Sequence, residues 1–244
     1  MKIVSTVEAR MTSTRLHGKV LLPVRGKPLL FYLIKRLQSL KLIDEIVLAT
    51  TTNRADDVLV EFASLNNIKV YRGSEIDVMS RVIGAAESVK AEIVVEITGD
   101  CPIIDPIIID HTIRMFLNNK CDYVSNAHVR SYPDGMDTQV FYLETLKKSS
   151  KLTKDPVDRE HVTLHIRNHP ELFKTIHLVA PSDQYWPELG LTLDEISDYK
   201  LIKKIIEHFG RSNKLFTCQE TIELLKKRTD WLEINKNVIR KRNT

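Results

Sequence analysis

The segment Glu8-Ala9-Arg10-Met11-Thr12-Ser13-Thr14-Arg15-Leu16-His17-Gly18-Lys19 carries three cations, three hydroxyls and one glycine, with Thr6 a fourth hydroxyl just before it. Residues 9–27 hold Arg10, Arg15, Lys19, Arg25 and Lys27 and no carboxylate at all. Guanidinium forks match phosphate oxygens bidentately, and a lysine adds a mobile point charge. The chain has only eight glycines and contains neither G-x-G-x-x-G nor a Walker P-loop. A phosphate site here therefore has to be built from side-chain cations and loop amides. The competing reading is a solvated polar loop, and the absence of any acid in it weighs the other way.

Two carboxylates have the complementary character. Asp100, in Gly99-Asp100-Cys101-Pro102, ends an apolar run, and Asp194, in Leu191-Thr192-Leu193-Asp194-Glu195, ends another. Mg²⁺ takes one or two protein carboxylates together with water and phosphate oxygens. Taken singly, Asp100 reads as a turn or helix cap and Asp194 as a cap of the last long helix. Their coincidence with a cationic loop favours a metal-phosphate site. His161, His165 and His169 are spaced four apart, as on one helical face. They lack H-E-x-x-H and any nearby cysteine, so surface or interface histidines are a better reading than zinc. No G-x-S-x-G elbow supports Ser-His-Asp hydrolysis.

The elements that must position these groups alternate. Strands are expected over 3–7, 46–50, 68–71, 93–97, 123–125, 139–142 and 173–179, from short β-branched or alternating runs. Helices are expected from Pro28, over 58–65 with Asp56 or Asp57 as cap, over 78–89 and 106–117, and from Leu143 and Val157. The last long helix starts at Ser197 or Asp198 and stops at Gly210. Strand-helix order with short connections implies an α/β fold, a mostly parallel sheet covered by helices on both faces. Ligands then bind beyond the carboxyl ends of the strands, where the loop after Val7 and Asp100 both fall. Residues 1–210 read as one domain and 211–244 as a basic helical extension, with a helix over 221–228.

Composition closes off other classes. The chain has 244 residues, 43% hydrophobic and 28% charged, which suits a folded core and argues against disorder. No apolar run approaches the length of a membrane span, and Glu8 and Arg10 interrupt the only apolar start. Cys101, Cys121 and Cys218 are too scattered for a disulfide scaffold and read as small buried hydrophobes in a reducing, cytoplasmic setting. The net charge of +4 is local rather than general: residues 214–244 hold eight bases and four acids, and residues 28–213 are mildly acidic. The tail runs Lys226-Lys227-Arg228 and Arg240-Lys241-Arg242 read as solvated faces rather than as a nucleic-acid surface.

Residues 9–19 resemble the A-R-x-x-S-x-R-L-x-x-K signature of acidic-sugar cytidylyltransferases, the group that makes CMP-sialic acid and CMP-Kdo, and within it the spore-coat polysaccharide protein F type. The resemblance continues through Arg72-Gly73-Ser74-Glu75, Thr98-Gly99-Asp100-Cys101-Pro102, Asp122-Tyr123-Val124-Ser125-Asn126, Tyr132-Pro133-Asp134-Gly135, Arg159-Glu160-His161-Val162-Thr163 and Thr192-Leu193-Asp194-Glu195. It implies a three-layer, Rossmann-like fold of the nucleotide-diphospho-sugar transferase type, with residues 127–179 as an inserted acceptor and dimerisation region. It also implies a homodimer, CTP as co-substrate, an acidic sugar as acceptor and Mg²⁺ on Asp100 and Asp194. Ala9, Arg10, Ser13, Arg15 and Lys19 are then expected around the CTP phosphates, with Arg15 and Lys19 stabilising the leaving pyrophosphate. Asp77 and Arg81 are expected near the base or ribose, and Tyr132, Asp134, Glu160 and His161 near the acceptor.

Glu8, Thr12 and His17 depart from the Gln, Gly and Pro common in that branch, and Gly190-Leu191 replaces an Arg followed by an apolar residue. An anion at Glu8 would oppose a bound phosphate unless metal or Arg10 screens it. The alternatives are transfer to a phosphorylated or phosphonate acceptor, and a nucleotide-binding relative with weak catalysis.

Overall fold

The computed structural model of the chain describes residues 1–210 and 215–240. In chain order it has β1 (Ile3–Glu8), a hairpin of β2 (Pro23–Val24) and β3 (Lys27–Pro28), α1 (Leu29–Gln38), β4 (Glu45–Thr51), α2 (Asp57–Leu65), β5 (Lys69–Gly73), α3 (Val78–Ser88), β6 (Ile93–Thr98) and α4 (Pro106–Leu117). Then come β7 (Tyr123–Ser125), β8 (Gln139–Tyr142), α5 (Leu143–Leu152), α6 (Pro156–Glu160), α7 (Leu164–Asn168), β9 (Thr175–His177), α8 (Ile196–Phe209), α9 (Cys218–Lys227) and α10 (Thr229–Leu232). A seven-stranded sheet runs β5-β4-β1-β6-β8-β7-β9. Its β5, β4, β1 and β6 are mutually parallel, and β8 is antiparallel to both neighbours. The α/β, mostly parallel architecture expected from the alternation is therefore the one found.

Alternation along the strands makes two cores. Ile3, Val7, Leu48, Val95 and Ile97 face α1, α2 and α4 through Leu33, Leu37, Leu59, Phe62, Ile113 and Phe116. Val4, Val47, Val94 and Phe141 face α3, α5 and α7 through Met79, Val82, Leu146 and Ile166. A third cluster lies beside the sheet, where Leu189, Leu191 and Leu193 meet Leu201, Ile205, Ile222, Leu225 and Trp231 of α8, α9 and α10. The C-terminal helices are thus packed on the strand-end segment that carries Asp194. Arg36, 2% exposed, fastens them to α1: its guanidinium donates to the carbonyls of Ile104 and Phe216 and lies 4.2 Å over the Phe216 ring.

Several expected elements differ locally. The helix after β3 begins at Leu29, because Pro28 is extended (φ −66°, ψ 152°). The last β strand is three residues rather than seven, since only Thr175, Ile176 and His177 find partners on β7. The cap of α8 is Glu195, with Asp198 completing a capping box at the third helical position. The three spaced histidines do not share one helix. Val162, at φ 49°, breaks the chain between α6 and α7, so His161 lies in the break while the rings of His165 and His169 pack 4.4 Å apart. Lys226, Lys227 and Arg228 are solvent-exposed, whereas Lys241 and Arg242 lie outside the described residues.

Candidate active site

The loop after β1 is folded back on itself by a bond from the Gly18 amide to the Met11 carbonyl (2.9 Å), and it ends in a single 3-10 turn, Lys19–Leu21. This turn directs the Lys19 ammonium to the carboxyl edge of the sheet. There it lies 2.8 Å from Asp100 Oδ2 and 3.0 Å from Asp194 Oδ1. Arg15 reaches the same Asp194 oxygen at 2.7 Å. Asp100 follows β6 directly, and the Leu193 amide donates to the Asp100 carbonyl (2.8 Å), so the two carboxylate-bearing segments are stitched side by side. Burial alone would raise the Asp100 carboxyl, but Lys19 outweighs it and holds Asp100 below the usual carboxylate range. Lys19 is correspondingly raised, its burial being outweighed by Asp100 and Asp194. The four residues expected to do chemistry, Arg15, Lys19, Asp100 and Asp194, therefore form one ion cluster.

The rest of the loop is held by acids that the sequence did not single out for this task. Asp56, fully buried, was read as a helix cap. Its side chain caps nothing: one oxygen accepts from the Met11 amide (2.7 Å) and the other from the Thr51 amide and the Thr50 and Thr51 hydroxyls. It thereby ties the loop to the end of β4. Glu75 accepts from Arg10 (3.2 Å) and from the Thr12 hydroxyl (2.5 Å), which gives Thr12 a partner that a glycine there would lack. Ala9 is buried at the start of the loop, and Ser13 is half-buried between Thr12 and Arg15. The visible signals for Asp56 and Glu75 were their places just past β4 and β5, at the same carboxyl edge.

The residues expected at the base or ribose have partners within the chain. Both Asp77 oxygens accept from Arg159 (3.0 and 2.5 Å), and one also accepts from the Ser80 amide, so Asp77 clamps α3 to α6. Arg81 is 3% exposed and donates to the carbonyls of Ser74 and Glu75 beneath the turn after β5. Tyr132, expected at the acceptor, is 4% exposed and sits in the third core. Burial, with the nearby Cys218 and Asp105, pushes its phenol up to about 12. Glu160 is exposed at the end of α6, and His161 follows it in the break. Asp134 does belong near the cluster: it pairs through its backbone with Leu189 and Leu191, two residues before Thr192-Leu193-Asp194.

Further buried polar groups lie along the sheet beyond the ion cluster. Glu8 and Glu96 come from neighbouring strands, on the faces that carry Val4 and Val94. Both Glu8 carboxyl oxygens are buried without a hydrogen-bond partner, as are the Thr6 and Thr138 hydroxyls, Arg167 Nε and His177 Nδ1. Glu96 accepts from Gln139 (2.6 Å), whose own oxygen accepts from Tyr123 and Thr163. Burial, reinforced by Glu96 and opposed by Arg81, drives the Glu8 carboxyl well above the usual range. Burial raises Glu96 to about 8 against Arg167, and raises Asp137 to about 7 with the help of Asp134. Burial and Glu96 thus favour the uncharged form of Glu8, which eases the opposition to phosphate expected of an anion at that position.

Cations shaped for phosphate oxygens, set against paired carboxylates at the carboxyl edge of a mostly parallel sheet, define the nucleotidyltransferase class. Comparison with known proteins places the chain within it. The family described as Cytidylyltransferase matches residues 4–232, and the chain belongs to that family, whose members are CTP-using nucleotidyltransferases. The spore coat polysaccharide biosynthesis protein SpsF of Bacillus subtilis is 33% identical over 233 residues, 93% of this chain and 95% of SpsF. A 3-deoxy-manno-octulosonate cytidylyltransferase of Chloroherpeton thalassium is 33% identical over 122 residues, 49% of this chain and 48% of that protein. The structure of a cytidylyltransferase from Leptospira borgpetersenii superposes with a TM-score of 0.91 at 32% identity, covering 99% of this chain and 100% of the other. Among the described residues no helix is long and apolar enough to cross a membrane.

Proposed function

We propose that the chain transfers the CMP group of CTP to an acidic sugar of the 2-keto class, with Mg²⁺ held by Asp100 and Asp194. The observation that carries this reading is the convergence of those two carboxylates on one cation, Lys19 Nζ, at 2.8 and 3.0 Å. A point that already holds an ammonium between two acids suits a divalent ion that takes two carboxylates and completes its shell with phosphate oxygens and water. Asp100 and Asp194 would hold the ion, which would supply charge neutralisation at the α-phosphate. The chain's own residues do the positioning. Arg10, Arg15 and Lys19 hold the triphosphate, and Asp56 keeps their loop in register. The acceptor hydroxyl oxygen bonds to the α-phosphorus, the α–β bridging bond breaks, pyrophosphate leaves with the electron pair, and the hydroxyl proton passes to solvent. Most of the acceleration comes from orientation and charge neutralisation.

The buried polar groups on and beside the sheet, Arg167, Glu8 and Glu96 with the unpartnered Thr6, Thr138 and His177 atoms, support a polyhydroxylated acid as acceptor: one cation for a carboxylate, and many donors and acceptors for hydroxyls. The test is pyrophosphate release from CTP, Mg²⁺ and a panel of 2-keto sugar acids, with phosphorylated and phosphonate acceptors as controls. Release only with the controls would replace the acceptor class, and release with none would remove the transferase reading. Asp100→Asn should lower turnover at least a hundredfold at saturating Mg²⁺ while leaving the circular dichroism unchanged. The working form is a cytoplasmic homodimer joined through residues 127–179, which expose Val129, Leu152, Val157, Leu172 and Val179. Light scattering checks this, and a monomeric mass would remove it.

A further inference from the structure

Asp198, on the first turn of α8, is 0% exposed and joins the Asp194 segment to the segment after α10. Its Oδ2 accepts from the amides of Asp194 (3.1 Å) and Glu195 (2.9 Å). Its Oδ1 accepts from Arg240 Nη2 (2.8 Å) and from Asn235 Nδ2 (2.8 Å). A buried carboxylate needs a charged partner, and Arg240 is the cation that supplies it. Asn235 also donates to the Gly190 carbonyl (3.0 Å), so the segment after α10 grips both ends of the strand-end stretch.

Gly190 makes room for this. A Cβ built on it would lie 1.9 Å from Arg240 Cζ, so the guanidinium lies flat against a backbone that only glycine leaves bare. The other end of the fork faces Asp134: Arg240 Nη1 is 3.7 Å from Asp134 Oδ2, and it is buried without a hydrogen-bond partner. One guanidinium therefore spans from the acid beneath Asp194 to the acid that pairs with Leu189 and Leu191. Alongside runs a cleft of about 630 Å³, which Arg130, Asp134, Trp186, Asn235 and Arg240 help to line.

We propose that Arg240 is a positioning residue for the transfer reaction, delivered from the C-terminal segment across Gly190 to fix Asp194 through Asp198 and to orient Asp134. The proposal rests on the reading of Asp194 as the metal- and phosphate-facing carboxylate. It gives a basic tail residue a definite task, and it accounts for the glycine that stands where the branch usually has arginine.

The test uses the full chain and two independent variants. Arg240→Ala removes the guanidinium, and Gly190→Ala evicts it while leaving it in the sequence. Amide hydrogen exchange reads the anchor itself. Both variants should speed exchange at Asp194 and Glu195 by about tenfold or more, with β1 and β4 unchanged. Mg²⁺ titration in the presence of CTP, without acceptor, should show an affinity loss of about 10–100-fold, the usual cost of removing a supporting partner behind a ligand. Arg240→Lys should fall between, since an ammonium cannot span both acids as a fork does. Unchanged exchange at Asp194 and Glu195 in both variants would overturn the proposal. So would acceleration spread equally over the whole chain, which would make Arg240 merely structural. Failure of the wild-type chain to release pyrophosphate with any acceptor would overturn the transferase reading instead and leave the exchange result standing.

Discussion

Lys19→Met separates the two tasks of the ion cluster, because methionine keeps the length of the stem and removes the charge. In the wild-type chain the Lys19 side chain is 12% exposed, and it faces Asp100 and Asp194 side chains that are 22% and 11% exposed. Asp194 keeps Arg15 at 2.7 Å after the change. Asp100 loses the ammonium that holds it below the usual carboxylate range. Removing one partner of a buried pair costs about 3–5 kcal/mol. With Asp100 partly solvated and Arg15 still in place, the cost falls to or below the low end of that range, and a loss of about 2–3 kcal/mol is expected. At roughly 2–4 °C per kcal/mol for a chain of this size, the melting temperature in chelator should fall by about 5–10 °C.

Mg²⁺ then acts as replacement cation. At a free concentration a hundred times its dissociation constant it returns about 2.7 kcal/mol. The variant should therefore regain most of its loss in millimolar Mg²⁺, whereas the wild type, whose ammonium already fills the place, should gain little. Differential scanning fluorimetry with and without Mg²⁺, at matched ionic strength, measures both numbers. A variant that melts with the wild type in chelator, or equal Mg²⁺ gains in the two proteins, would refute the claim that lysine and metal compete for one position between Asp100 and Asp194.

Three further changes probe the supports. Asp56→Ala removes the acceptor of the Met11 amide and of the β4 hydroxyls, leaving buried donors unpaired, and should cost about 3 kcal/mol in denaturant unfolding and raise the KM for CTP. Gly135→Ala places a Cβ at φ +103° and 2.7 Å from the Leu191 carbonyl carbon, so it should cost about 2–3 kcal/mol and weaken the rise in melting temperature that CTP and Mg²⁺ give together. Glu96 is held near 8, Asp137 near 7 and Glu8 well above the usual range, so the native chain binds protons that the unfolded chain has lost. These three acids therefore contribute a fall in stability as pH rises from about 4.5 towards 8. Glu96→Gln should flatten that fall by an amount on the order of 3 kcal/mol, read from urea midpoints at pH 5.5 and 8.5, and an unchanged slope would count against a raised Glu96.

What was legible in the sequence was whatever chain order and residue type fix together. Alternating apolar runs placed Val7 and Ile97 at strand ends and Leu193 at the end of an extended run, and the cations and acids that follow them share one edge of the sheet. What was not legible was pairing across distance: Lys19 meets acids 81 and 175 residues away. Asp56 stands where a cap would stand, and nothing local shows that its acceptors go to a loop 45 residues earlier. Asp77 lies next to a family motif, and nothing local shows that Arg159, 82 residues on, pairs with it where α3 packs on α6. Arg240 belongs to a basic run whose type predicts solvent, and only the bare backbone at Gly190 and the buried acid at Asp198 draw it inward.

The charge of the site follows from the same pairings. Counted along the chain, the loop after β1 is purely cationic. In the folded chain Arg10 is matched by Glu75, Arg15 by Asp194, and Lys19 by Asp100 and Asp194. A bare triphosphate approaching this edge meets cations whose charge is already spoken for, and it must displace carboxylates to reach them. A triphosphate that arrives with a divalent cation supplies the partner those carboxylates lose when the loop turns to phosphate. On the proposed reading, nucleotide and metal therefore strengthen each other's binding: each removes the competitor that the other would otherwise have to displace, and by linkage the gain is the same in both directions.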